Sequence, residues 1–519
     1  MRIWSTILLP ALLLTGAGGP VAAAPAFERV AVPEHVYSGG WAHFVGGGLA
    51  VFDCNDDRLP DLFAAGGESP AALWVNRSAP GGEIVFEPLD SETPAITDAT
   101  GAYPLDIDSD GLLDLVVLRA GGNRVLRGLG DCTFAPTDAF ALDPGDRWTT
   151  AFSATWEAGR SLPTLAFGNY VDRDDPDGPF RACDDNQLFR PEGARYGAAE
   201  TLTPGYCALS ILFTDWGRRG RADLRISNDR HYYVRGGEEQ MWAMEDTPRL
   251  YTAEDGWNSF SIWGMGIAQR DLTGDGLPEV YLTSMADQKL QMLENGGSAP
   301  SYRDATYDRG TTAHRPHVGD DGRPSTGWHV AFGDVDNDGR DDIFVAKGNV
   351  EQMPGLAMKD PNNLLMQQAD GTFAEAAADA GIASFERSRG AALVDLNADG
   401  LLDLTVVNRR APLEVYRNVT APVGNWLSVA LRQPAPNTRA VGAWIEVEAD
   451  GRRHTREITV GGGHAGGSAA PEHFGLGDAQ SVRLRVVWPD GETSAWVEVE
   501  TGQALEIGRD GGALTVAAY

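Results

Sequence analysis

Four aspartates recur at short intervals in the segment WHVAFGDVDNDGRDDIFVAKG, residues 328–348, which is otherwise rich in apolar residues: Asp334, Asp336, Asp338 and Asp342. Like charges held close together repel one another, so a folded chain tolerates such a group when a cation lies among them. In the pattern Asp-x-Asp-x-Asp-Gly-x-x-Asp, side chains one, three and five converge on one side of a turn, and the glycine allows the chain to reverse. A main-chain carbonyl and the ninth carboxylate complete an all-oxygen shell. Such a shell predicts calcium, because magnesium loses its water reluctantly and zinc prefers nitrogen and sulfur.

The same pattern recurs along the chain, and we predict about five calcium sites from it. The copy that begins at Asp53 has Arg58 where the others have glycine. The predicted metal ligands are Asp53, Asn55, Asp57 and Asp61; Asp106, Asp108, Asp110 and Asp114; Asp271, Thr273, Asp275 and Glu279; Asp334, Asp336, Asp338 and Asp342; and Asp395, Asn397, Asp399 and Asp403.

A further copy has lost part of its ligand set. The segment DWGRRGRADL keeps Asp215, Gly220 and Asp223 but has Arg219 in the third ligand position. We expect no metal there, either because the guanidinium lies between the two carboxylates as an internal cation or because the loop has drifted. A last copy, from Thr155, is fainter still.

The elements that must position these loops repeat as well. The loops begin at residues 53, 106, 155, 215, 271, 334 and 395, and these roughly even spacings are those of propeller blades or somewhat longer. An apolar strand enters each loop and another leaves it, and two further short strands follow, which makes four strands per unit. A β-rich run where a helix would be needed argues against an EF-hand. We therefore predict an all-β fold with a seven-bladed β-propeller followed by a small C-terminal β domain.

The seventh unit lacks its fourth strand, whereas the segment AFERVAV, residues 26–32, has the appearance of that strand. A ring of blades leaves an open edge unless its ends are joined. We therefore predict that this N-terminal segment completes the last blade.

The N-terminus has the features of a secretory signal peptide. Arg2 precedes an apolar run from Ile3 to Leu14, and small residues follow up to a cleavage site near Ala23. No later segment has the roughly 18 consecutive apolar residues of a membrane-spanning helix. We expect a secreted or periplasmic protein, with association to the cell surface left open.

Export makes the four cysteines candidates for two disulfides. Cys183 and Cys207 are close in sequence, so we predict that pair, which leaves Cys54 with Cys132. The formal net charge of −32 argues against nucleic acid and anionic membranes as partners.

Three residues of the predicted innermost strands could line the mouth of an axial channel. His329 lies five residues before its acidic loop, at a position that is glycine in most other units, and Trp328 and Arg389 lie beside this position. An axial funnel is a common ligand site. The alternative is that these side chains pack or plug the channel. The segment GGGHAGG, residues 461–467, has the glycine spacing of a dinucleotide site, but no helix follows it, and we assign it no such role.

The acidic loops resemble the FG-GAP/VCBS repeats of integrin-type propellers, and the tail resembles the ASPIC/UnbV domain. The tail motif includes Asn437, Gly442, Ala443, His473 to Gly477 and Trp488 to Gly491. This combination is similar to that of the cartilage acidic protein family and its bacterial relatives. The resemblance implies a secreted propeller with integrin-like calcium loops and an appended β domain with its own core. No cysteine follows Cys207, so the EGF-like module of the animal relatives is lacking, and matrix-type partners do not carry over.

The expected organisation is a signal peptide over residues 1–23, a propeller over 24–420 and an ASPIC/UnbV-like domain over 421–519. Two functions are compatible with it. The first is an exported calcium-binding scaffold for adhesion or for binding an extracellular protein, a glycan or a small molecule. The second is an enzyme of secondary metabolism or carbohydrate chemistry with its site at the channel mouth. Convergence of Trp328, His329 and Arg389 on one polar pocket would favour the enzyme.

Overall fold

The computed structural model describes residues 24–89, 95–175, 182–229, 237–312, 314–319, 322–510 and 513–518. The expected signal peptide, residues 1–23, lies outside these ranges. Strands make up 46% of the described residues and helices 3%, so the prediction of an all-β fold is confirmed. The helical segments are Trp41–His43, Ala253–Asp255, Asn295–Gly297 and Thr306–Arg309. None of the helices in the described ranges combines the length and the apolar character needed to cross a membrane.

Antiparallel sheets form the first half of the chain. Strand β1 (Phe27–Val30) precedes a sheet of β2 (Leu49–Phe52), β3 (Asp61–Ala64), β4 (Ala72–Asn76) and β5 (Phe86–Pro88). The next unit contains β6 (Ala99–Leu105), β7 (Asp114–Gly122), β8 (Arg124–Gly128) and β9 (Phe134–Pro136). It is joined edge to edge with β10 (Asp146–Thr155), β11 (Thr164–Asn169) and β12 (Asn186–Phe189); a hairpin of β13 (Pro191–Glu192) and β14 (Arg195–Tyr196) precedes the last strand, β15 (Glu200–Leu202).

Four further sheets follow with the same strand order. The first two contain β16 (Ala208–Thr214), β17 (Asp223–Asn228), β18 (Gln240–Ala243) and β19 (Arg249–Leu250), then β20 (Gly264–Arg270), β21 (Glu279–Ser284), β22 (Lys289–Leu293) and β23 (Tyr302–Asp304). The next contains β24 (Gly327–Gly333), β25 (Asp342–Lys347), β26 (Asn363–Gln367) and β27 (Phe373–Glu375). The fourth contains β28 (Ser388–Val394), β29 (Asp403–Asn408) and β30 (Glu414–Asn418), with β1 as its remaining strand.

The second strand is buried along its whole length in six of the units, and in β7 it is buried from Asp114 to Leu118. The runs DLFA in β3 and DIFVAK in β25 contain no exposed residue. A continuous apolar run between turns is what a strand needs when its sheet is covered on both faces. The first strands of the units contact one another in chain order, and β28 also contacts β2, so the row returns to its start. This arrangement is consistent with a β-propeller.

The N-terminal strand pairs with the last unit, as the sequence predicted. Strand β1 is antiparallel to β30, with Phe27 opposite Asn418 and Val30 opposite Val415. Phe27 is 8% exposed and belongs to the same apolar cluster as Tyr416 and Leu404. Main-chain hydrogen bonds and apolar packing therefore join the two ends of the repeat region.

The tail forms two four-stranded sheets around an apolar core of its own. The core contains residues such as Leu427, Ile445, Phe474 and Leu484. The strands are β31 (Asn425–Arg432), β32 (Trp444–Ala449), β33 (Arg452–Glu457), β34 (Glu472–Gly477), β35 (Ser481–Val487), β36 (Val497–Glu500), β37 (Gln503–Asp510) and β38 (Ala513–Ala518). One sheet has the order β34, β31, β37, β38 and the other β33, β32, β35, β36.

The tail also enters the repeat region, which differs from the expectation of a domain that is only attached. Between β33 and β34 the segment 460–468 forms isolated bridges with the first strands of several units. Val51 N–H donates to Gly467 O at 3.0 Å, and Gly463 N–H donates to Ile267 O at 2.7 Å. The glycine-rich segment GGGHAGG thus lies among the innermost strands.

Two glycines of the innermost strands make this close approach feasible. A Cβ atom on Gly48 would lie 1.8 Å from Ala465 O, and one on Gly101 would lie 1.7 Å from the same atom. No side chain can replace hydrogen at either position while the loop keeps its place. The glycines before the acidic loops in these two units are therefore explained by the tail.

Candidate functional site

All six acidic loops that start with aspartate share one local geometry. In the loop between β24 and β25, Asp334 Oδ1 accepts from Asp338 N–H at 3.0 Å and Oδ2 accepts from Gly339 N–H at 2.7 Å. Gly339 has φ +86°, a conformation that glycine adopts without strain. Asp342 in the ninth position accepts from Val335 N–H and Gln367 N–H at 3.1 and 2.8 Å. The first and last carboxylates therefore hold the turn together.

Burial and mutual repulsion make this loop electrostatically costly. Carboxylate oxygens of Asp334, Asp336 and Asp342 lie within 4.8 Å of one another, and all three residues are buried. Burial and the neighbouring carboxylates raise the pKa of Asp334 and of Asp342 well above the ordinary value. Burial, with Asp336 nearby, raises the pKa of Asp338 to about 6. A bound cation would remove this repulsion.

In two loops, the third residue of the pattern has a side-chain oxygen that accepts no hydrogen bond from the described residues. Asp336 Oδ1 is buried without a hydrogen-bond partner, and so is Asn397 Oδ1 in the loop between β28 and β29. Asp336 is 3% exposed and Asn397 is fully buried. Buried polar atoms normally have a partner, and an oxygen at this position is a ligand that calcium uses. The donor set of these loops thus fits a hard divalent cation.

The loop between β6 and β7 brings Asp106, Asp108 and Asp114 together, again with oxygens within 4.8 Å. Arg127 Nη2 lies 2.9 Å from both Asp108 Oδ2 and Asp110 Oδ2, so one arginine pairs with the third- and the fifth-position acids. Burial raises the pKa of Asp114 to about 7.

Arginines also hold the fifth-position acids of two other loops. Asp338 pairs with Arg340, and Arg417 Nη2 lies 3.2 Å from Asp399 Oδ2. The sequence did not reveal these pairs, since the partner arginines occupy different positions in each unit. With the fifth-position acids paired to arginines, the residues at positions one, three and nine are left as the candidate metal ligands in these loops.

The two remaining predicted loops keep the turn but gather fewer acids. Among the described residues neither brings three carboxylates together. In the first loop Arg58 adopts φ +71° in the place of glycine, and Asn55 Nδ2 donates to Asp57 Oδ2 at 2.8 Å. Burial raises the pKa of Asp61 to about 7. In the loop after β20, Thr273 is exposed, and burial raises the pKa of Glu279 to about 8.

Both predicted disulfides are present, Cys54 with Cys132 and Cys183 with Cys207. The first lies beside Asp61. Because both sulfurs belong to the disulfide, they offer no thiolate for a metal.

The degenerate loop has replaced metal ligation by internal contacts. Arg219 N–H and Gly220 N–H both donate to the Asp215 carboxylate at 2.7 Å. The Arg219 guanidinium lies 3.4 Å from Asp223 and 4.0 Å from the centre of the Trp216 ring. Tyr251 Oη and the Trp216 indole N–H donate to Asp223 Oδ2 at 2.7 and 2.9 Å. Arg219 therefore neutralises the ninth-position acid but does not bridge it to Asp215.

The three predicted channel residues lie in one cluster that packs against the GGGHAGG segment. The Arg389 guanidinium lies 3.8 Å from the centre of the Trp328 ring and donates to Val350 O at 2.7 Å. His329 Nδ1 accepts from the main-chain N–H of His464, whose ring lies 5.0 Å from that of Trp328. Burial lowers the pKa of His329 to about 4. The side chains pack against GGGHAGG, and Trp328 and His329 line two different cavities, of about 330 and 600 Å³.

The tail binds the ends of the sheets where the acidic loops lie. Arg456 Nη2 lies 2.9 Å from both carboxylate oxygens of Asp341, and His473 Nε2 lies 2.7 Å from Asn337 Oδ1. Thr438 of the tail donates its hydroxyl to Asp106. Sequence reasoning missed these contacts because their partners are more than 100 residues apart.

Comparisons with known proteins identify both parts of the chain. Residues 53–117 and 271–345 match the FG-GAP-like repeat, and residues 433–513 match ASPIC and UnbV. Mouse cartilage acidic protein 1 is 26% identical over 255 residues, which cover 47% of this chain and 37% of that protein. Its relative from Xenopus tropicalis is 32% identical over 127 residues, 23% of this chain and 20% of that protein. The chain thus spans well under half the length of these curated relatives.

Among the solved structures that match is that of BBS1N in complex with ARL6DN. It is 10% identical, with a TM-score of 0.44, and the match covers 76% of this chain and 97% of that one.

Proposed function

Since the chain belongs to the proteins that combine FG-GAP-like repeats with an ASPIC/UnbV domain and resemble cartilage acidic protein 1, we propose that it is an exported, calcium-binding β-propeller that serves as a binding or adhesion scaffold. The ring has seven blades over residues 24–420, and the C-terminal β domain covers residues 421–519. The closed order of contacts among the first strands of the units and the pairing of β1 with β30 support the seven-bladed ring.

The buried, unpartnered third-position oxygens of Asp336 and Asn397 carry the calcium proposal. In the loop after β24, Asp334, Asp336 and Asp342 would hold the ion, and in the loop after β6, Asp106, Asp108 and Asp114 would do so. Bound calcium would supply positive charge that offsets the repulsion of the carboxylates. The first and last acids hold the turn through main-chain hydrogen bonds. The role of the metal is therefore to stabilise the loops on which the tail rests.

Export is supported by the two disulfides, which form and persist in oxidising compartments. The scaffold function is supported by how the channel residues are used. Arg389 and His329 bind groups of the protein itself, which favours a packing role for these side chains over a catalytic one. The partner class, an extracellular protein, a glycan or a small molecule, remains part of the proposal.

The decisive experiment measures calcium and binding on the same purified mature protein. After gel filtration in calcium-free buffer, elemental analysis counts the metal that remains bound. The protein is then screened against glycan, peptide and metabolite collections with calcium and with EDTA. We expect retained or readily regained calcium and at least one ligand whose binding depends on the intact fold. Absence of calcium uptake at millimolar concentration would refute the metal assignment, and turnover of a metabolite would favour the enzyme.

A further inference from the structure

One cavity lies at the end of the innermost strands that is opposite to the acidic loops. Trp328 stands near the start of β24, whereas the acidic loop follows the end of that strand. Tyr170 and Asp229 directly follow β11 and β17, the second strands of their units, at the same end. The cavity has a volume of about 330 Å³. It is close to the lower limit of small-molecule pockets, roughly 300–1,000 Å³, and it contains none of the predicted metal ligands.

Aromatic and methionine side chains form most of the wall. Trp41, Phe44, Tyr170 and Trp328 line the cavity together with methionines such as Met265. The ring centres of Trp41 and Phe44 are 4.8 Å apart, and those of Phe44 and Tyr170 are 5.7 Å apart at an interplanar angle of 73°. Aromatic faces carry negative quadrupole charge, so a set of rings set at angles around a cavity favours a cation over a neutral group.

One carboxylate in this wall is buried and only half satisfied. Asp229 is 6% exposed, and its Oδ2 accepts a hydrogen bond of 2.5 Å from Tyr170 Oη. Its Oδ1 is buried and has no hydrogen-bond partner among the described residues. Burial raises the pKa of this carboxyl to about 7, so the group is ionised in mildly alkaline solution. An unpaired buried acceptor is costly, and a ligand that pairs with it gains that energy.

The positive charges of the cavity are already paired within the protein. Arg409 and Arg410 both form ion pairs with Glu351. Arg389 lies behind Trp328 and donates to main-chain carbonyl groups, including Ser388 O at 3.0 Å. Unlike Glu351, Asp229 has no arginine partner among the described residues, and its Oδ1 is left for a ligand.

We propose that this cavity binds a small organic cation, an alkylammonium or quaternary ammonium group, with Asp229 as its counter-ion and the rings of Trp41, Phe44 and Tyr170 around it. The site is separate from the calcium loops and adds a ligand class to the scaffold. The organic cation binds there without displacing calcium from the loops.

The test is isothermal titration of the full mature protein with calcium present at pH 8. The probes are tetramethylammonium and choline, with 3,3-dimethyl-1-butanol as the neutral analogue of choline and acetate as the anionic control. We expect the two cations to bind and the neutral analogue to bind at least about tenfold more weakly, because cation–π attraction and the counter-ion both depend on charge. Acetate should not bind.

Variants separate the site from the fold. Asp229→Asn should weaken choline binding at least about tenfold, and Trp41→Ala, at a side chain that is 48% exposed, should weaken it several-fold without lowering the melting temperature. Tyr170→Phe removes the hydroxyl that competes for Asp229 and should preserve or strengthen binding. The matched control Asp287→Asn makes the same charge change at an exposed residue that pairs with Lys289 and should leave binding unchanged.

Three outcomes would overturn the proposal: neither cation binds, the neutral analogue binds as well as choline, or folded Asp229→Asn binds choline like the unaltered protein. Repeating the titration in EDTA separates this site from the calcium loops. Loss of calcium with retained choline binding would leave the cation site standing by itself, and loss of choline binding with retained calcium would reject this site alone.

Discussion

Arg456 of the tail and Asp341 of an acidic loop form a buried ion pair, with one guanidinium nitrogen 2.9 Å from both carboxylate oxygens. The Arg456 side chain is 2% exposed and the Asp341 side chain 5%. Asp341 adjoins Asp342, a predicted metal ligand, and the Arg456 guanidinium beside Asp341 helps to hold the pKa of that carboxyl below its usual range. The pair therefore fastens the tail to the loop whose geometry the metal would stabilise.

Breaking this pair should destabilise the protein strongly. Arg456→Met leaves the buried Asp341 carboxylate with the longer contact to Arg270 Nε at 3.7 Å, and we expect a loss of up to about 3–5 kcal/mol in unfolding free energy. Chemical denaturation measures it. Arg303→Met breaks an exposed pair with Asp308 and should cost roughly 0–1 kcal/mol. If the two variants lose similar amounts, the buried pair does not hold the tail.

Calcium should bind the complete loops and leave the degenerate loop unaffected. Asp336→Ala or Asp108→Ala should each lower the bound calcium count by about one. Asp215→Ala is the matched control, since its loop has Arg219 in place of an acidic ligand and this arginine pairs with Asp223. At a hundredfold excess over the dissociation constant, each site stabilises the folded state by about 2.7 kcal/mol, so EDTA should lower the melting temperature. Equal losses in all three variants would contradict the difference between the loops.

The glycine contacts of the inserted tail segment give a steric prediction. Gly101→Ala would put a Cβ atom 1.7 Å from Ala465 O, so we expect the loop to be displaced and the tail to become sensitive to protease. The control is Gly355→Ala, because no heavy atom lies within 4 Å of the Cβ position there. Limited proteolysis with mass spectrometry follows both variants. A Gly101→Ala protein with an unchanged cleavage pattern and melting temperature would show that the segment is not required in this place.

A buried glutamate should make stability depend on pH in a known direction. Burial raises the pKa of Glu239 from 4.5 to about 8, and the residue is 1% exposed. Between these values the folded state keeps a proton that the unfolded state loses, so this group lowers stability as pH rises, by at most about 1.4 kcal/mol per pH unit. Glu239→Gln keeps the acceptor for Asn228 N–H and removes the titration. The difference in unfolding free energy, variant minus unaltered protein, should therefore grow from pH 5 to pH 8.

Local and repeated features were predictable, and long-range ones were not. The acidic turns could be read from the sequence because the first aspartate binds main-chain N–H groups only four and five residues away. Pairing of β1 with β30 followed from a missing strand and a spare one. The insertion of GGGHAGG was not predicted, because the contact of Ala465 with Gly48 and Gly101 joins segments more than 300 residues apart. The repeated glycines were visible, but glycine in a strand has several explanations.

The last prediction concerns ring closure. Strand β1 contributes the main-chain partners of β30, and Phe27 packs in the cluster with Tyr416 and Leu404. Deleting residues 27–30 should leave β30 as an unpaired edge and expose this apolar cluster, so we expect aggregation and a lower melting temperature. The substitution Glu28→Ala serves as the control, since that residue is exposed and its strand stays in place. Size-exclusion chromatography with light scattering measures the outcome. A deletion variant that stays monomeric and melts with the control would mean that the ring does not depend on its N-terminal strand.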